Sequence, residues 1–387
     1  MLNNLRNEFK NVFGSGGTIF FAPSRINIIG EHIDYNGGKV MPAAIEIGTY
    51  GIAKPNELGL LRLKSLNING EGEISLDDLE YDESRDWMNY VVGMVKFIRE
   101  AGHKVSGLDI IVWGNIPNGS GLSSSASLEM LIGEMVNHLF NSDEISKVEL
   151  IKLGVKTENE YINVNSGVMD QFAIRMGKEG NAILLDTHTL EYNYIPMELG
   201  DYTFVIMNTN KRRELKDSKY NERRAECETG LEILQKYIEI ENLCDIRVDD
   251  NTEELLSKIE DEIIRNRVRH VVFENDRVYE MVKAMKENDI GRIGDILNRS
   301  HNSLKDLYEV SGFELDSIVS SALKSNYTVG ARMTGAGFGG CAIALVESDY
   351  IEEFIESTSK LYEDLTGISG EFFTSKIDDG PRVLGEA

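Results

Sequence analysis

The stretch that decides the fold is Ile116-Pro-Asn-Gly-Ser-Gly-Leu-Ser-Ser-Ser-Ala-Ser127, between a predicted strand at 108–113 and a predicted helix whose apolar stripe starts at Leu128. A glycine-rich loop that leads into a helix N-terminus is a typical anion site, because free amides and the helix dipole point at the ligand. Its serine hydroxyls can bond phosphate oxygens or ligate Mg²⁺. A serine-capped helix after a tight turn is the alternative, but three consecutive serines exceed what one cap requires. We therefore favour phosphate binding.

This loop matches neither of two common nucleotide-binding motifs. Gly114 and Gly119 have the spacing of the Walker A motif, but the next two residues, Ser-Gly, stand where that motif has Lys and Ser or Thr. A G-x-G-x-x-G run at 335–340 precedes a predicted strand and not a helix, which argues against a dinucleotide fold. That run is either a tight entry into the strand or a backbone nest that closes on a phosphate or a sugar, and both alternatives stay open.

A second polar stretch runs over residues 25–38 and ends in Asn-Gly-Gly turn residues. Its side chains Glu31, His32 and Asp34 could ligate a metal, although one histidine among two carboxylates is not the usual zinc pattern. The carboxylates could equally accept hydrogen bonds from neighbouring hydroxyls of a sugar, and loops at strand ends commonly carry binding residues. Turn and capping roles are the simpler alternative, but the density of polar side chains favours a polar-ligand site.

Two carboxylates, Glu158 and Asp170, lie on either side of the break between a predicted helix at 145–162 and a glycine-containing loop. If the loop folds back, one carboxylate can hold Mg²⁺ while the other accepts a proton from a substrate hydroxyl. An aspartate at the start of a helix is also a common N-cap, so a structural role for Asp170 is the alternative.

Composition limits the class of protein. A chain of 387 residues with 41% hydrophobic and 27% charged residues predicts two globular domains, which we place at 1–200 and 201–387. The net charge of −25 argues against nucleic acids and anionic membranes as partners. The 3 cysteines are widely spread and suggest neither disulfides nor a zinc site. We expect a cytoplasmic protein without a membrane span.

Hydrophobic periodicity predicts a mixture of helices and strands. The predicted strands are 18–22, 40–47, 61–65, 108–113, 202–207, 341–346 and 370–375, and the predicted helices are 2–13, 88–101, 128–140, 145–162, a charged helical region over 218–324, and one from about 349.

Taken together, these segments resemble the GHMP kinase family. The matching segments follow the family's order: 25–38 as its first motif, 117–127 as its ATP loop, then 167–171, 218–224 and 300–311, and 332–341 as its third motif. The Glu-His-x-Asp-Tyr run at 31–35 resembles the members that phosphorylate galactose, whereas the other two motifs are shared more widely.

The resemblance implies an α+β fold of two domains, with a ribosomal-protein-S5-like N-terminal domain, a ferredoxin-like C-terminal domain and the active site between them. It implies phosphorylation of the C1 hydroxyl of D-galactose to galactose 1-phosphate, with galactose and ATP as the substrates and Mg²⁺ on the ATP. We expect a monomer.

The resemblance also implies roles for individual residues. Asp170 would be the catalytic base, and Arg25 would stabilise the transferring phosphoryl group. Mg²⁺ would be held by Ser125 and Glu158. The residues expected at the sugar are Glu31, His32, Ile33, Asp34 and Tyr220, and those expected at the nucleotide are Ser65, Gly119, Ser120, Gly121, Leu122, Ser123, Ser124 and Ser125.

Two residues depart from the family pattern, since Ser24 stands where Gly is usual and Ile33 where Thr is usual. Two alternatives to a galactose-phosphorylating enzyme remain. One is a kinase for a related sugar such as N-acetylgalactosamine. The other is a non-catalytic regulator that senses galactose and ATP, but such relatives lack the Ser-Ala pair that stands uninterrupted here within 123–127.

Overall fold

The computed structural model describes residues 2–68, 70–117, 119–211 and 216–387, with only the backbone at 216–218. In these residues the helices are α1 Leu2–Phe13, α2 Met88–Glu100, α3 Ser124–Asn141, α4 Lys147–Lys156, α5 Met169–Arg175, α6 Lys216–Leu234, α7 Thr252–Leu256, α8 Glu262–Lys286, α9 Ile290–Ser303, α10 Gly312–Ala322 and α11 Ile351–Thr366. The strands are β1 Thr18–Asn27, β2 Lys39–Val40, β3 Pro42–Asn56, β4 Leu60–Ser65, β5 Glu71–Ser75, β6 Gly107–Gly114, β7 Asn181–Asp186, β8 Tyr192–Pro196, β9 Tyr202–Asn208, β10 Thr328–Met333, β11 Cys341–Glu347, β12 Glu371–Thr374 and β13 Arg382–Glu386.

The described strands form three sheets. A six-stranded sheet has the order β13-β1-β3-β6-β4-β5, a four-stranded sheet has the order β10-β11-β9-β12, and a small sheet has the order β2-β7-β8. Strand pairing is antiparallel except between β4 and β6. The mixture of sheets and separate helices confirms the α+β class predicted from the sequence.

The six-stranded sheet is covered on both faces. Leu5 and Phe9 of α1 pack against Ile19, Ile52 and Ile111, which come from β1, β3 and β6. Because successive strand residues point to opposite faces, the neighbours of these three residues face the other side of the sheet, where α3 packs on β1 and β3. This packing explains why every residue of β1 is buried. It also fixes the loop that leads from β6 into α3.

In the second half of the chain, α9 and α10 pack on β10, and α11 packs on β11 and β12. Helix α8 packs against α6 and α9 and also reaches β2 of the first half. The two halves therefore meet along α8, beside the segment that links β1 to β2.

Several predicted elements are confirmed and others are longer than predicted. Helices α1 and α2 have the predicted bounds to within one residue, but α3 begins at Ser124 and not at 128. Strand β1 continues beyond the predicted 18–22, so that Arg25 lies in a strand and not in the loop after it. The predicted helix at 145–162 is α4 followed by a π-helical turn, Thr157–Ile162.

Five strands were not predicted, namely β5, β7, β8, β10 and β13. The last of them, β13, pairs with β1, so the end of the chain returns to the first sheet. The division into domains at 1–200 and 201–387 remains a prediction. The pairing of β13 with β1 departs from it, because a strand from the end of the chain belongs to the sheet of the first half.

In the part of the chain described, no helix has the length and apolar character needed to span a membrane.

Candidate active site

A cavity of about 270 Å³ lies where the end of β1, the start of α3, the start of α5 and α6 converge. Two segments contribute most of its polar side chains, and we call residues 30–38 the sugar loop and residues 119–125 the phosphate loop. Twelve of the residues predicted for the site line the cavity: Arg25, Glu31, His32, Asp34, Gly119, Gly121, Ser123, Ser124, Ser125, Glu158, Asp170 and Tyr220. The fold thus brings together three motifs that are far apart in the sequence.

The centre of the cavity is an ion pair between Arg25 of β1 and Asp170 of α5. Arg25 donates from Nε to Oδ1 and from Nη2 to Oδ2 of Asp170, both at 2.7 Å. Its Nη1 donates to the carbonyl of Gly121 at 3.0 Å, and the Ser123 hydroxyl donates to Asp170. Although burial works against the charge of Arg25, the Asp170 carboxylate raises the pKa of the guanidinium. Both side chains are therefore fixed in orientation at the edge of the phosphate loop.

The phosphate loop has the geometry of an anion cradle. Gly119 and Gly121 have φ angles of 68° and 75°, and a side chain at Gly119 would meet no atom within 4 Å. The Ser24 hydroxyl donates to the carbonyl of buried Leu122, and this hydrogen bond anchors the phosphate loop to β1. The first turn of α3 starts at Ser124 and directs its free amides out of the helix end. This open, amide-lined cradle fits the phosphates of a nucleotide.

Beside the cradle, the residues predicted to hold Mg²⁺ are in contact. Ser125 donates from Oγ to Oε1 of Glu158 at 3.0 Å, and the Ser166 hydroxyl donates to the other carboxylate oxygen. Burial raises the pKa of Glu158, and the nearby Asp170 carboxylate adds to this effect. Among the described residues no cluster of three or more His, Cys, Asp or Glu could hold a metal. One carboxylate and one hydroxyl next to a phosphate cradle is a donor set that suits Mg²⁺ bound to a nucleotide.

The sugar loop is held by the second half of the chain. Glu31 accepts from the amide of Gly335 at 2.7 Å and lies 3.2 Å from Nη2 of Arg332. Burial raises the pKa of Glu31, although Arg332 and Arg25 oppose the effect. The ring of His32 lies 3.1 Å from the carbonyl of Ala336. The backbone of the glycine-rich run at 335–340 thus forms hydrogen bonds with the sugar loop.

Helix α8 holds the same loop through its backbone. The Gly30 amide donates to Glu274, the Lys39 amide donates to Asn275, and His270 bonds the carbonyl of Glu31, all at 3.0 or 3.1 Å. Glu274 is fully buried, and Arg277 is the main cause that lowers its pKa to about 2, against the effect of burial.

Asp34 and Tyr220 complete the polar wall. Burial raises the pKa of Asp34 to about 7, and the carboxylates of Asp170 and Glu31 contribute to this rise. Burial also raises the pKa of Tyr220 well above its ordinary value. A side chain at Gly167 would lie 2.0 Å from Oδ2 of Asp34, so only glycine leaves room for this carboxylate.

Four predicted site residues do not line the cavity. Ile33 and Leu122 are fully buried in the core, and Ser120 turns its hydroxyl toward the amide of Leu122. Ser65 accepts from the amides of Asn67 and Ile68, in the turn after β4. The motif residue Asn118 lies outside the described residues.

The cavity is also lined by six residues that were not predicted for the site: Val164, Ser166, Gly167, Met169, Gly335 and Ala336. Gly167 and Met169 belong to the motif at 167–171 that contains Asp170, and this position in the motif could have indicated them as site residues. Gly335 and Ala336 belong to the glycine run for which a nest was one of two alternatives. Ser166 could have been indicated as a site residue only by its being a small polar residue before a glycine.

Comparisons with known proteins agree with this geometry. The model of the GHMP kinases N terminal domain matches residues 89–178, the model of the GHMP kinases C terminal domain matches 281–364, and the galactokinase galactose-binding signature matches 7–55. The chain is 52% identical over 384 residues to galactokinase of Ligilactobacillus salivarius, covering 98% of this chain and 99% of that one. It is 49% identical to galactokinase of Clostridium tetani, covering 98% and 97%.

Solved structures show the same relationship. Lactococcus lactis galactokinase, solved in complex with galactose, has a TM-score of 0.95 and 44% sequence identity and covers 99% of this chain and 100% of that one. The mevalonate kinase of Methanococcus jannaschii, with a TM-score of 0.65, 21% identity and coverage of 94% and 99%, shares the fold. The chain therefore belongs to the GHMP kinase family and, within it, to the galactokinases.

Proposed function

We propose that the chain transfers the γ-phosphoryl group of ATP to the C1 hydroxyl of D-galactose and releases galactose 1-phosphate and ADP. The observation that carries this proposal is the Arg25–Asp170 ion pair, which lies between the phosphate loop and the sugar loop. The galactokinase relatives and the L. lactis structure with bound galactose support the choice of sugar.

Asp170 accepts the proton of the C1 hydroxyl as the C1 oxygen bonds to the γ-phosphorus and the bond from that phosphorus to the ADP oxygen breaks. The ion pair with Arg25 and the bond from Ser123 hold the carboxylate in one orientation. Among the described residues that line the cavity, Arg25 is the one arginine or lysine, so it stabilises the negative charge on the transferring group. Positioning and charge neutralisation are what phosphoryl transfer requires.

Ser125 and Glu158 are the residues that would hold Mg²⁺, and the phosphate loop amides would bind the ATP phosphates. When bound, Mg²⁺ neutralises phosphate charge. Ser166 fixes the orientation of Glu158 by donating to its second oxygen.

On the sugar side, Asp34 and Glu31 are carboxylates that accept hydrogen bonds from hydroxyls. Tyr220 provides a phenol at the same wall. A carboxylate that bonds adjacent hydroxyls loses a partner when one of them is inverted, which makes Asp34 the residue we expect to discriminate between galactose and its C4 epimer, glucose.

The test is a product assay on the purified chain with ATP and Mg²⁺, in which ³¹P NMR identifies the sugar phosphate. Galactose, glucose and N-acetylgalactosamine are compared at equal concentrations. Formation of galactose 1-phosphate at a rate at least 30-fold above that with glucose supports the proposal, since an unmet charged hydrogen bond costs about 2–3 kcal/mol. ATP consumption with none of the sugars, or a preference for N-acetylgalactosamine, contradicts it.

A further inference from the structure

The backbone and the ring of His32 are both constrained at the wall of the cavity. His32 has a φ angle of 62°, in the left-handed region that costs a non-glycine residue free energy, and it is 3% exposed. The Asn36 amide group donates to its carbonyl at 3.0 Å. Each ring nitrogen has a protein partner: Nδ1 lies 2.8 Å from the Tyr35 hydroxyl, and Nε2 lies 3.1 Å from the carbonyl of Ala336.

These partners determine where the ring carries its hydrogen. A carbonyl oxygen only accepts hydrogen bonds, so Nε2 of His32 must carry a hydrogen and donate it to Ala336. Burial lowers the pKa of His32 to about 3, and the ring is therefore neutral and its Nδ1 is bare. A bare nitrogen only accepts, which requires the Tyr35 hydroxyl to donate to it.

The hydrogen-bond directions of two further residues follow from the position of the Tyr35 hydrogen. Because the Tyr35 hydrogen is directed at His32, the Tyr308 hydroxyl, 2.8 Å from the Tyr35 oxygen, must be the donor of that contact. The thiol of Cys227 lies 3.1 Å from the Tyr308 oxygen, and burial raises its pKa to about 12, so it keeps its hydrogen and donates. Tyr308 and Cys227 are both fully buried. The four side chains form a one-directional relay that ends on the His32 ring.

We propose that Tyr308, acting through Tyr35, is a positioning residue: it keeps the Tyr35 hydroxyl as the donor to Nδ1 of His32, while the Ala336 carbonyl holds the hydrogen on Nε2, and it thereby pre-orients the sugar loop for galactose. The inference rests on the proposed function for the identity of the sugar. Tyr308 does not line the cavity, and its ring also packs on His32 with the centroids 5.0 Å apart, so deletion of its hydroxyl alone isolates the effect that passes through Tyr35. It lies at the end of the π-helical turn Leu304–Tyr308, 273 positions from Tyr35 in the sequence.

The kinetic test uses hydroxyl deletions. Tyr35→Phe removes the donor to His32 and is expected to raise the KM for galactose about tenfold, and Tyr308→Phe, one step further away, about threefold, as expected for a single neutral hydrogen bond. The kcat and the KM for ATP are expected to stay within about twofold of wild type, because the phosphate loop is not part of the relay. Tyr362→Phe is the matched control, since Tyr362 is also fully buried and donates its hydroxyl to a carbonyl, that of Thr209.

An unchanged KM for galactose in both relay variants overturns the proposal. Equal increases in the two KM values, or a loss of kcat, also overturn it, because they indicate general damage to the fold.

A second measurement reads the tautomer directly and needs no turnover. Long-range ¹H–¹⁵N spectra of the wild-type chain with ¹⁵N-labelled histidine, assigned with a His32→Gln variant, report which ring nitrogen carries hydrogen. We expect a neutral His32 protonated on Nε2 in wild type, in Tyr362→Phe and in Tyr35→Phe, because the Ala336 carbonyl still accepts that hydrogen. Only Tyr35→Phe should shift the Nδ1 resonance, because this nitrogen has lost its hydrogen-bond donor. A charged ring or a ring protonated on Nδ1 in wild type overturns the relay. Failure of the proposed function appears instead as a chain with the expected spectrum and no galactose phosphorylation.

Discussion

The sugar loop and the phosphate loop face the same cavity but are held in different ways. The amides of Gly30 and Lys39 donate to buried side chains of α8, and a side chain at Gly30 would lie 2.8 Å from the carbonyl of Lys39. By contrast, Gly119 and Ser124 are exposed, and a side chain at Gly119 would meet nothing. The sugar loop is therefore held in place by α8, whereas the phosphate loop bonds its Ser120 and Leu122 amides within its own turn and is open to solvent at Gly119 and Ser124.

The largest effect is expected where the two loops meet. Asp170→Asn should lower kcat by about 10²–10⁴-fold, because an amide cannot take the proton of the C1 hydroxyl. Steady-state kinetics with galactose and ATP measure the change. Asp109→Asn is a matched control, because Asp109 forms a two-point ion pair with Arg62 on the first sheet, away from the cavity. A folded Asp170→Asn variant with near wild-type kcat would assign Asp170 a structural role.

A pair of glycine substitutions contrasts the two loops. Gly30 and Gly119 have φ angles of 97° and 68°, so alanine is strained at both positions, by about 1–2 kcal/mol. Gly30→Ala also forces its side chain against backbone, which adds about 1–3 kcal/mol. Urea denaturation should therefore show a clearly larger loss of unfolding free energy for Gly30→Ala than for Gly119→Ala. Equal losses would mean that the sugar loop is not tightly packed.

The pH dependence sharpens the account of the sugar side. With the pKa of Asp34 raised to about 7, this carboxyl is mostly ionised at pH 8 and mostly protonated at pH 6. The protonated form has lost acceptor capacity, so the KM for galactose should rise roughly tenfold as pH falls from 8 to 6. The KM for ATP measured over the same range is the internal control. In Asp34→Asn the dependence should flatten, and persistence of the full slope there would assign it to another group.

The smallest effect is expected at the edge of the phosphate loop. Ser166→Ala removes one of the two hydroxyls that hold Glu158 and should raise the Mg²⁺ concentration for half-maximal activity about two- to threefold. Ser357→Ala, which removes an exposed hydroxyl of α11, is the control. If titrations of wild type and Ser166→Ala coincide, Ser166 does not position Glu158.

Sequence periodicity predicted the elements that have a clear local apolar pattern and missed several strands that lack one, such as β5, β8 and β13. Helix α2 shows the helical spacing of apolar residues and was predicted almost to the residue. Strand β13 is largely polar or half-exposed, and it exists because it pairs with β1, more than 350 positions earlier. No local pattern carries such a pairing.

The site shows the same limit. Resemblance supplied Arg25 and Asp170, but their ion pair follows from the packing of β1 beside α5. Ile33 and Leu122 were predicted as site residues because they lie within the matching motifs. Successive residues of a loop point to different sides, however, and these two side chains lie in the hydrophobic core. Tyr308 and Ala336 act on the sugar loop from the second half of the chain, and no spacing in the sequence indicates that contact.

Hydrogen–deuterium exchange, resolved to peptides covering 30–40 and 119–125, tests the central contrast most directly. For the free chain, we expect slow exchange in the peptide covering 30–40, where the Gly30 amide is bonded to buried Glu274 and the Lys39 amide to buried Asn275, and faster exchange in the phosphate loop. Galactose alone should change the first peptide little, whereas ATP with Mg²⁺ should strongly protect the second. Fast exchange of the sugar loop until galactose is added would contradict the account.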